Sequence, residues 1–392
     1  MEKKRIAVLL PWLKMGGTNK IALNFIKELS VYCDVTLILS EKTGELLEEV
    51  PKDVKLLIDK MADFKEILFD DIKHVRLVSV IRDIIYYMKI KVGRDSIDNY
   101  LYIVKRNEEI SDIEFDCAIS YHGQSPERLL NLLYRIRSKK RVVFIHGEMS
   151  FSEDKCYRLQ KYYQKIDHFF FVSKPTQESF AEVIPFEKFK ATVYYNPIDK
   201  REILNKSQCG FEPEFSKEYV NLLTVGRLSP EKGQDMIPDI TCNLLELGYK
   251  IRWYIIGDGD MKQEITSKII EKNLENNVFL LGTKTNPYCY MKTCDIYVQP
   301  SYTEGYSTTI CEAGILGKAI IGTKPSGGIR DQITDGVDGL IVDATVRGVT
   351  NGIMQLLENE ELKHQFEILI QKKNFEGKGE IQKFLSYINS DD

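Results

Sequence analysis

The stretch Gln299–Gly317, QPSYTEGYSTTICEAGILG, directly follows the apolar run Ile296–Val298. Its first half is rich in turn-forming residues, namely Pro300, Ser301, Thr303 and Gly305. From about Ser307 the apolar residues recur at helical spacing, and a hydroxyl side chain is available as the N-cap. The stretch therefore predicts a strand, a tight loop and a helix. The free amide N–H groups and the positive dipole end of such a helix suit a phosphate.

Two carboxylates stand in this stretch, Glu304 in the loop and Glu312 in the first turns of the predicted helix. A carboxylate repels a bare phosphate, so the pair needs another reason to lie beside an anion site. A ligand that carries both a phosphate and sugar hydroxyls supplies that reason, because carboxylates accept hydrogen bonds from hydroxyls.

The pattern E-x7-E, from Glu304 to Glu312, resembles the signature of retaining nucleotide-sugar glycosyltransferases of family 4, of the type that builds bacterial surface polysaccharides. The resemblance implies an α/β protein of the GT-B fold, in which two Rossmann-like domains face each other across a cleft and a C-terminal helix crosses back to the first domain. In that family the first Glu contacts the donor sugar and the second holds the ribose. We also assign donor binding to the loop and helix start, at Gly305, Tyr306, Ser307 and Thr308.

A second motif, Gly226–Gly233 (GRLSPEKG), follows the apolar run Tyr219–Val225. Its Arg227 and Lys232 place a rigid fork and a mobile ammonium after a strand end, which suits the several charged oxygens of a diphosphate. The segment is similar to the family's diphosphate-binding sequence G-R-L-x-x-x-K-G, and it stands upstream of E-x7-E as in the family. The resemblance also implies that main-chain groups near Thr283 line the pocket for the base.

Chain length, net charge, cysteine content and apolar runs limit the classes of protein to which this chain can belong. A chain of 392 residues fits two domains of roughly 150–200 residues. The net charge of −4 argues against a general nucleic-acid binder, and the eight cysteines include no C-x-x-C pair, so reduced thiols are expected. The run Ile6–Leu10 is too short for a signal peptide, and no stretch approaches the ~18 apolar residues of a membrane span. We expect a cytoplasmic protein, with peripheral contact to the inner face of the cell membrane as an option.

The first half opens with the apolar run Arg5–Leu10, the glycine pair Gly16-Gly17 and a helical pattern that begins at Ile21. Strand, glycine turn and helix form the opening of a nucleotide-binding α/β domain. The dinucleotide pattern G-x-G-x-x-G is absent, which removes the main support for a dehydrogenase. By itself the glycine pair indicates a tight turn. The resemblance implies that it lies against the donor diphosphate, where a side chain would block the approach.

Two further apolar runs, Asp116–Ser120 and Arg141–Ile145, each lead directly into a segment that contains a histidine. Side chains just past the carboxyl ends of parallel strands stand where such sheets keep their sites. The resemblance implies that His146 lies beside the donor sugar and the acceptor, and we predict that it positions the reacting hydroxyl or the sugar. His122 and Glu148 are weaker candidates for the acceptor site.

Residues 64–106 interleave apolar, aromatic and basic side chains with the period of amphipathic helices. One interpretation is a pair of helices that cover the sheet. The other is a docking surface for an anionic membrane or a lipid-linked acceptor, because basic and aromatic residues beside apolar ones suit that interface. Both interpretations stay open from the sequence.

Short apolar runs bounded by turn residues predict the remaining strands at Val35–Leu39, Val54–Ile58, Phe169–Ser173, Ala191–Tyr195, Arg252–Ile256, Val278–Gly282, Ala319–Gly322 and Gly339–Val342. The segment 200–217 has little periodicity, so we place the domain boundary there. This gives an acceptor-binding domain at 1–200, completed by a helix at about 378–392, and a nucleotide-sugar-binding domain at 201–377.

Together the motifs predict a hexosyltransferase that moves a sugar from a nucleoside diphosphate sugar to a hydroxyl of a glycan, teichoic-acid or lipid-linked acceptor, with retention of the anomeric configuration. UDP is the favoured base, and the resemblance implies no bound metal or other cofactor. The predicted catalytic residues are His146, Arg227, Lys232 and Glu304.

Three alternatives stay open: a nucleotide-sugar epimerase, an inverting transferase on the same fold, and a non-catalytic partner subunit of a glycosyltransferase complex. The epimerase would need histidine and carboxylates arranged for proton or elimination chemistry. A silent subunit would have no need of Arg227, Lys232, Glu304 and Glu312 together.

Overall fold

The computed structural model describes residues 3–14, 16–59, 61, 64–74, 79, 81, 96–110, 112–147, 153–184, 190–208, 215–324, 327–377 and 379–390. The chain divides into two compact units. The first comprises Met1–Phe171, Phe180–Tyr194 and Ile381–Asp392, and the second comprises Val172–Ser179 and Tyr195–Glu380.

In its described part, the first unit holds a seven-stranded sheet in the order β3-β2-β1-β4-β5-β6-β7, and every neighbouring pair is parallel. The strands are β1 (Arg5–Leu10), β2 (Asp34–Leu39), β3 (Lys55–Ile58), β4 (Phe115–Ser120), β5 (Ser138–Ile145), β6 (His168–Phe171) and β7 (Ala191–Val193). Successive side chains of a strand point to opposite faces, so Ile6 and Val8 enter one core while Ala7 and Leu9 enter another. A sheet buried on both faces explains why its strands are apolar runs rather than alternating ones.

Helices cover both faces of this sheet. One core contains residues of Gly17–Tyr32 and Glu380–Asn389, and the other contains residues of Ser96–Arg106, Pro126–Tyr134 and Glu153–Tyr163. The described part also includes the helices Phe64–Lys73 and Lys174–Val183 and a 3₁₀ turn at Glu45–Glu49.

The helix Glu380–Asn389 completes the first core, as predicted for the C-terminal helix. Its buried Ile381, Phe384 and Ile388 join that core, and the ring of Phe384 meets that of Phe25 edge to face with 5.3 Å between centroids. Lys140 Nζ donates to the carbonyl oxygen of Ser390 over 2.6 Å, which places a cation where a helix C-terminus has unsatisfied carbonyls.

The second unit holds a six-stranded parallel sheet, within its described residues, in the order β10-β9-β8-β11-β12-β13. The strands are β8 (Val220–Val225), β9 (Ile251–Ile256), β10 (Val278–Leu280), β11 (Ile296–Gln299), β12 (Ala319–Thr323) and β13 (Leu340–Val342). Two apolar cores again lie on opposite faces of the sheet.

The helices of the second unit are Lys200–Lys206, Ile237–Glu246, Lys262–Glu271, Tyr288–Thr293, Thr308–Ile315, Ile329–Gln332, Val346–Glu358 and Glu360–Lys372. Two 3₁₀ turns, Pro230–Lys232 and Gln234–Met236, follow β8. The stretch Gln299–Gly317 is therefore strand, loop and helix, with the helix beginning one residue after Ser307.

The amphipathic region contains the helices Phe64–Lys73 and Ser96–Arg106 in its described part. Ile97 of the second helix is buried in a core of the first unit, which agrees with the interpretation that it covers the sheet. The first helix leaves Phe69 70% and Ile72 54% exposed. No helix in the described part of the chain is long and apolar enough to cross a membrane.

Among the described residues, one cysteine departs from the expectation of reduced thiols. Six others are free thiols: Cys33, Cys117, Cys156, Cys242, Cys294 and Cys311. Cys289, in contrast, is disulfide-bonded. The expectation of reduced thiols is therefore wrong for Cys289.

Candidate functional site

The two motifs of the second unit meet at the carboxyl ends of its parallel strands. The loop after β11 lies against the loop after β8, because the amides of Tyr302 and Thr303 both donate to the carbonyl oxygen of Glu231, over 2.9 and 3.3 Å. Gly226–Gly233 and Gln299–Gly317 thus form one site, although their key residues are some seventy positions apart in sequence.

Two glycines allow the loop after β11 to be held this closely. Gly233 has a φ of +66°, and a Cβ there would lie 2.1 Å from the carbonyl oxygen of Pro300. A Cβ at Gly328 would lie 1.8 Å from the carbonyl oxygen of Gly305, and the amide of Gly328 donates to the Glu304 carbonyl over 3.1 Å. The loop is therefore fixed from two sides by backbone that only glycine permits.

Lys232 and Glu304 form an ion pair at this junction, with 2.6 Å between Nζ and Oε1. The Glu304 side chain is 9% exposed and that of Lys232 21%. The same Oε1 also accepts from Ser301 Oγ over 3.2 Å and from Gln299 Nε2 over 3.4 Å. Among the described residues nothing bonds to Oε2, which leaves that oxygen for a ligand. The lysine offsets the charge of the carboxylate, which weakens the repulsion Glu304 exerts on a phosphate.

Gln299, the last residue of β11, is buried beneath this pair. Its Oε1 accepts from Tyr297 OH over 2.8 Å and from Thr309 Oγ1 over 3.1 Å. Its Nε2 donates to Ser301 Oγ over 2.9 Å as well as to Glu304. The assigned amide orientation fits, because a carboxylate only accepts and so must face the nitrogen of the amide.

The helix Thr308–Ile315 begins beside this network, and Gln332 fixes its start. The amide of Ser307 donates to Gln332 Oε1 over 3.0 Å, and Gln332 Nε2 donates back to the Ser307 carbonyl over 2.6 Å. The amides of a first helical turn have no intrahelical acceptor, and no acidic residue stands in this turn. The helix start can therefore accept an anion.

Glu312 lies on the second turn of that helix and pairs with a buried tyrosine. Tyr288 OH donates to Glu312 Oε1 over 3.1 Å. Burial, followed by the charge of Glu312, raises the pKa of Tyr288, so the phenol stays protonated and donates to the carboxylate. This second carboxylate of the E-x7-E pattern is thus also held by a donor from the protein.

The other predicted donor-binding residues are more open. The Arg227 side chain is 73% exposed, with 3.6 Å from Nη2 to Glu231 Oε1. Thr283 is exposed after β10, and Tyr306 is half-buried with its ring centroid 5.6 Å from that of Tyr195. The side chain of Arg227 can therefore reach a ligand without leaving a buried partner.

The glycine pair belongs to the first unit, where Gly17 begins the long helix Gly17–Tyr32. A Cβ built at Gly16 meets none of the described residues within 4 Å, and its φ of 167° is extended backbone that any residue adopts. Neither strain nor internal packing explains glycine at position 16. Open space in front of a helix start is instead what a closely approaching ligand would need.

The two predicted histidines are also in the first unit, with 6.0 Å between their ring centroids. His146 bonds to the backbone of Tyr121, and its Nε2 has no hydrogen-bond partner among the described residues. Burial lowers the pKa of His146 to about 3, and burial followed by the charge of Arg128 lowers the pKa of His122 to about 4. Both rings are neutral at pH 7.

The tautomer of His146 follows from these contacts. Since Nε2 has no partner, the bond to the Tyr121 backbone comes from Nδ1, which must carry the proton if it donates to a carbonyl. Nε2 is then a free acceptor. His122 Nε2 is likewise without a partner among the described residues. Glu148 lies outside the described residues.

Three polar side chains that help to build the site, Gln299, Gln332 and Tyr288, are not among the predicted site residues. Gln299 could have been suspected as a polar residue that ends an apolar run. Gln332 and Tyr288 carry no local signal, because their partners Ser307 and Glu312 lie 25 and 24 positions away. Among the described residues, no group of three or more His, Cys, Asp or Glu side chains is placed to hold a metal ion.

A family model agrees with the motifs of the second unit. Residues 210–373 match the model described as "Glycosyl transferases group 1". The matched segment includes both Gly226–Gly233 and Gln299–Gly317. The similarity to this family model therefore covers the segment that holds both motifs.

Curated relatives match part of the chain. One relative is the N-acetylgalactosamine-N,N'-diacetylbacillosaminyl-diphospho-undecaprenol 4-alpha-N-acetylgalactosaminyltransferase of Campylobacter jejuni. The two proteins are 28% identical over 205 residues, and the alignment covers 52% of this chain and 54% of that protein. Another relative is the poly(ribitol-phosphate) alpha-N-acetylglucosaminyltransferase of Staphylococcus aureus. This chain is 28% identical to it over 172 residues, and the alignment covers 42% of this chain and 34% of that protein. The chain spans about half the length of these relatives or less.

A solved structure matches the whole chain. HepE of Anabaena, in complex with UDP and glucose, superposes with a TM-score of 0.72 at 17% identity and covers 99% of this chain and 100% of that one. At this identity the likeness establishes the fold alone. The predicted GT-B fold is confirmed.

Proposed function

We propose that the protein is a retaining glycosyltransferase of family 4 that moves a sugar from a nucleoside diphosphate sugar to a hydroxyl, with UDP as the favoured base. The proposed acceptor is a glycan, teichoic acid or lipid-linked saccharide of the cell surface. The observation that carries the proposal is the Lys232–Glu304 pair at the junction of the two loops. The similarity to the group 1 model and the names of the relatives support it.

The pair reduces the repulsion between the carboxylates of the E-x7-E pattern and a bound diphosphate. An unpaired carboxylate beside an anion site would oppose the donor diphosphate. Lys232 offsets Glu304, and Tyr288 donates to Glu312, so both carboxylates are held while Glu304 keeps Oε2 available for hydroxyls. The arrangement fits a ligand with phosphate and sugar together better than a phosphate or a neutral sugar alone.

The roles follow from charge and reach. Arg227 and Lys232 bind the diphosphate, together with the amides of Tyr306–Thr308 and of the glycine pair Gly16-Gly17. These groups stabilise the charge that grows on the leaving diphosphate in the transition state. Glu304 holds the donor-sugar hydroxyls and Glu312 the ribose, while backbone groups near Thr283 contact the base.

His146 has a role that its protonation state limits. A neutral ring with a free Nε2 lone pair accepts a hydrogen bond from a hydroxyl of the donor sugar or the acceptor. It does not act as a general acid near neutral pH, since its pKa is lowered to about 3. We therefore assign it to positioning a hydroxyl, with His122 and Glu148 as further acceptor-site residues.

The proposed reaction proceeds on one face of the sugar. The bond between the anomeric carbon and the phosphate oxygen breaks, and a bond from that carbon to the acceptor oxygen forms. The acceptor proton goes to an oxygen of the departing diphosphate, so no protein nucleophile is needed. The protein contributes position and electrostatic stabilisation.

A donor screen tests the proposal. The purified protein is mixed with UDP-, ADP- and GDP-sugars without acceptor, and thermal shift and slow release of nucleoside diphosphate are recorded. One donor is expected to give both signals, and Glu304→Gln is expected to abolish the release. Binding without release would favour the non-catalytic partner subunit, and no response to any donor would contradict the proposal.

We further propose peripheral membrane contact through the helix Phe64–Lys73, which would bring a cytoplasmic enzyme to a lipid-linked acceptor. Its exposed Phe69 and Ile72 are one helical turn apart and so lie on the same side of the helix. The double substitution Phe69→Ser and Ile72→Ser is expected to reduce binding to anionic liposomes several-fold. A matched variant, Leu247→Ser with Ile270→Ser, removes two apolar side chains of the second unit that are each 57% exposed. Equal binding of both variants to anionic liposomes would contradict the proposed membrane contact.

A further inference from the structure

The two oxygens of Glu304 have different surroundings. Oε1 accepts from Lys232, Ser301 and Gln299, whereas Oε2 has no hydrogen bond among the described residues. The terminal torsion of a glutamate is soft, so a carboxylate without fixed donors turns freely. The direction in which Oε2 points therefore depends on which donor to Oε1 is itself rigid.

Of the three donors, Gln299 is the rigid one. Lys232 is an ammonium on a flexible stem, and its proposed work on the diphosphate requires it to serve a second anion. The hydroxyl of Ser301 rotates and is itself held by Gln299 Nε2 over 2.9 Å. Gln299 is planar, buried, and bonded at both ends of its amide.

The far end of the same amide reaches the proposed phosphate site. Gln299 Oε1 accepts from Thr309 Oγ1, and Thr309 is the second residue of the helix Thr308–Ile315. Thr309 Oγ1 lies 3.1 Å from Ser307 Oγ, at the N-cap of that helix. A single buried amide thus connects the carboxylate proposed to hold the sugar with the helix start proposed to hold the diphosphate.

We infer that Gln299 is a positioning residue that directs Oε2 of Glu304 toward the donor sugar. It also fixes the position of that oxygen relative to the diphosphate-binding helix start. The inference rests on the proposed function, because it assigns how one of the proposed donor contacts is held. Gln299 itself stays behind Glu304 and need not touch the donor.

The test separates sugar recognition from nucleotide recognition. Kd for UDP and for UDP-glucose, UDP-N-acetylglucosamine and UDP-N-acetylgalactosamine is measured by calorimetry, and kcat for donor hydrolysis is measured on whichever of the three binds. Gln299→Met keeps the length of the side chain and removes its hydrogen bonds. It is expected to leave Kd for UDP within about twofold and to lower both kcat and the preference for the UDP-sugar over UDP by roughly tenfold, the scale of a lost hydrogen bond to a charged group.

Gln299→Glu sharpens the test, because it keeps the shape and the acceptor oxygens that serve Tyr297 and Thr309. It replaces the donor that faces Glu304 with an acceptor, so its loss of sugar preference is expected to equal or exceed that of Gln299→Met. Asn221→Leu is the control for a merely structural effect. Asn221 is another buried amide, and it lies near the opposite end of β8 from the site. This control is expected to lower Tm while leaving the sugar preference unchanged.

Each outcome has one meaning. If Gln299→Met leaves sugar preference and kcat within twofold of wild type, the inference is overturned while the proposed function stands. If Gln299→Met and Asn221→Leu weaken UDP and the UDP-sugar alike, the role of Gln299 is structural only and the inference is again overturned. If the wild-type protein binds none of the three UDP-sugars, the favoured donor class is wrong and the inference falls with it.

Discussion

The two units carry candidate residues in opposite electrostatic states. In the second unit the carboxylates are charged and already held, Glu304 by Lys232 and Glu312 by Tyr288. In the first unit His122 and His146 are neutral, and each has an Nε2 without a partner among the described residues. A held, charge-compensated site suits an anionic ligand, whereas unpaired neutral acceptors suit hydroxyls.

The match to the family model lies on one side of this contrast. The family model matches 210–373, which lies within the second unit, whereas the likeness of the whole chain to HepE is one of fold. The segment that is similar to the group 1 model therefore contains the charged, preassembled site. We expect the first unit to determine which acceptor is used, since function lies in the sites that a fold carries rather than in the fold.

The largest loss of turnover is expected from Lys232→Ala, which removes the charge compensation of the second unit's site. The substitution removes a proposed diphosphate cation and leaves Glu304 charged, buried and unopposed. We expect turnover to fall at least ~10²-fold, by analogy with the loss of one oxyanion donor. Steady-state hydrolysis of the donor found in the screen measures it.

Lys262→Ala supplies the matched control for that experiment. Lys262 pairs with Asp258 in the second unit, with 2.9 Å between Nζ and Oδ2, but both side chains are about half exposed. Its loss is expected to change turnover less than twofold. Near-normal turnover in Lys232→Ala would show that the held pair is not part of the reaction.

A smaller effect is expected from Tyr288→Phe, which removes one hydroxyl and keeps the ring. Without that donor Glu312 is less firmly placed for the ribose, so UDP should bind roughly tenfold more weakly. The preference for UDP over its 2′-deoxy analogue should shrink as well, which calorimetry can measure. Tyr249→Phe is the control, since Tyr249 also donates to a carboxylate, that of Glu358, away from the two motifs. Unchanged discrimination of the deoxy analogue in Tyr288→Phe would argue against the ribose role.

A separate effect concerns stability and belongs to the first unit. The pKa of His146 is lowered to about 3 and that of His122 to about 4, whereas an unfolded histidine titrates near 6.5. Between these values the unfolded chain binds more protons, so stability is full above about pH 6.5 and falls as the pH is lowered. The limiting slope is about 1.4 kcal/mol per histidine per pH unit.

Thermal unfolding between pH 7.5 and 4.5 checks this dependence. The double variant His122→Gln and His146→Gln should lose Tm less steeply on acidification than the wild type. Part of the slope should remain, because burial also lowers the pKa of His168 to about 4. His364→Gln, at an exposed histidine, should leave the slope unchanged. An unaltered slope in the double variant would mean that the two rings are not buried in neutral form.

The fold was largely predictable from the sequence because a parallel sheet covered on both faces needs apolar runs, and those runs are local. The residues at which the strands end were less predictable. Phe169–Ser173 was predicted, but β6 ends at Phe171, opposite Ile145, where its neighbour β5 also ends. Pairing between sequence-distant strands set that limit, and no local pattern reports it.

The site was predictable to the same degree. Local motifs indicated Arg227, Lys232, Glu304 and Glu312, and the structure brings Lys232 and Glu304 into contact. The side chains that hold them come from elsewhere in the chain, such as Tyr288 for Glu312, so tertiary packing alone reveals them. The assigned roles stay predictions until the variants are measured.

The first core includes residues that the ribosome makes after the second unit. Phe384 and Ile381 fill a space beside Phe25, yet the entire second unit is synthesised between them. The first half of the nascent chain must therefore wait, with part of its apolar core uncovered, until residues near 388 have emerged. Domains usually fold in order from the N-terminus during synthesis. Here the second unit can be complete before the first core is filled.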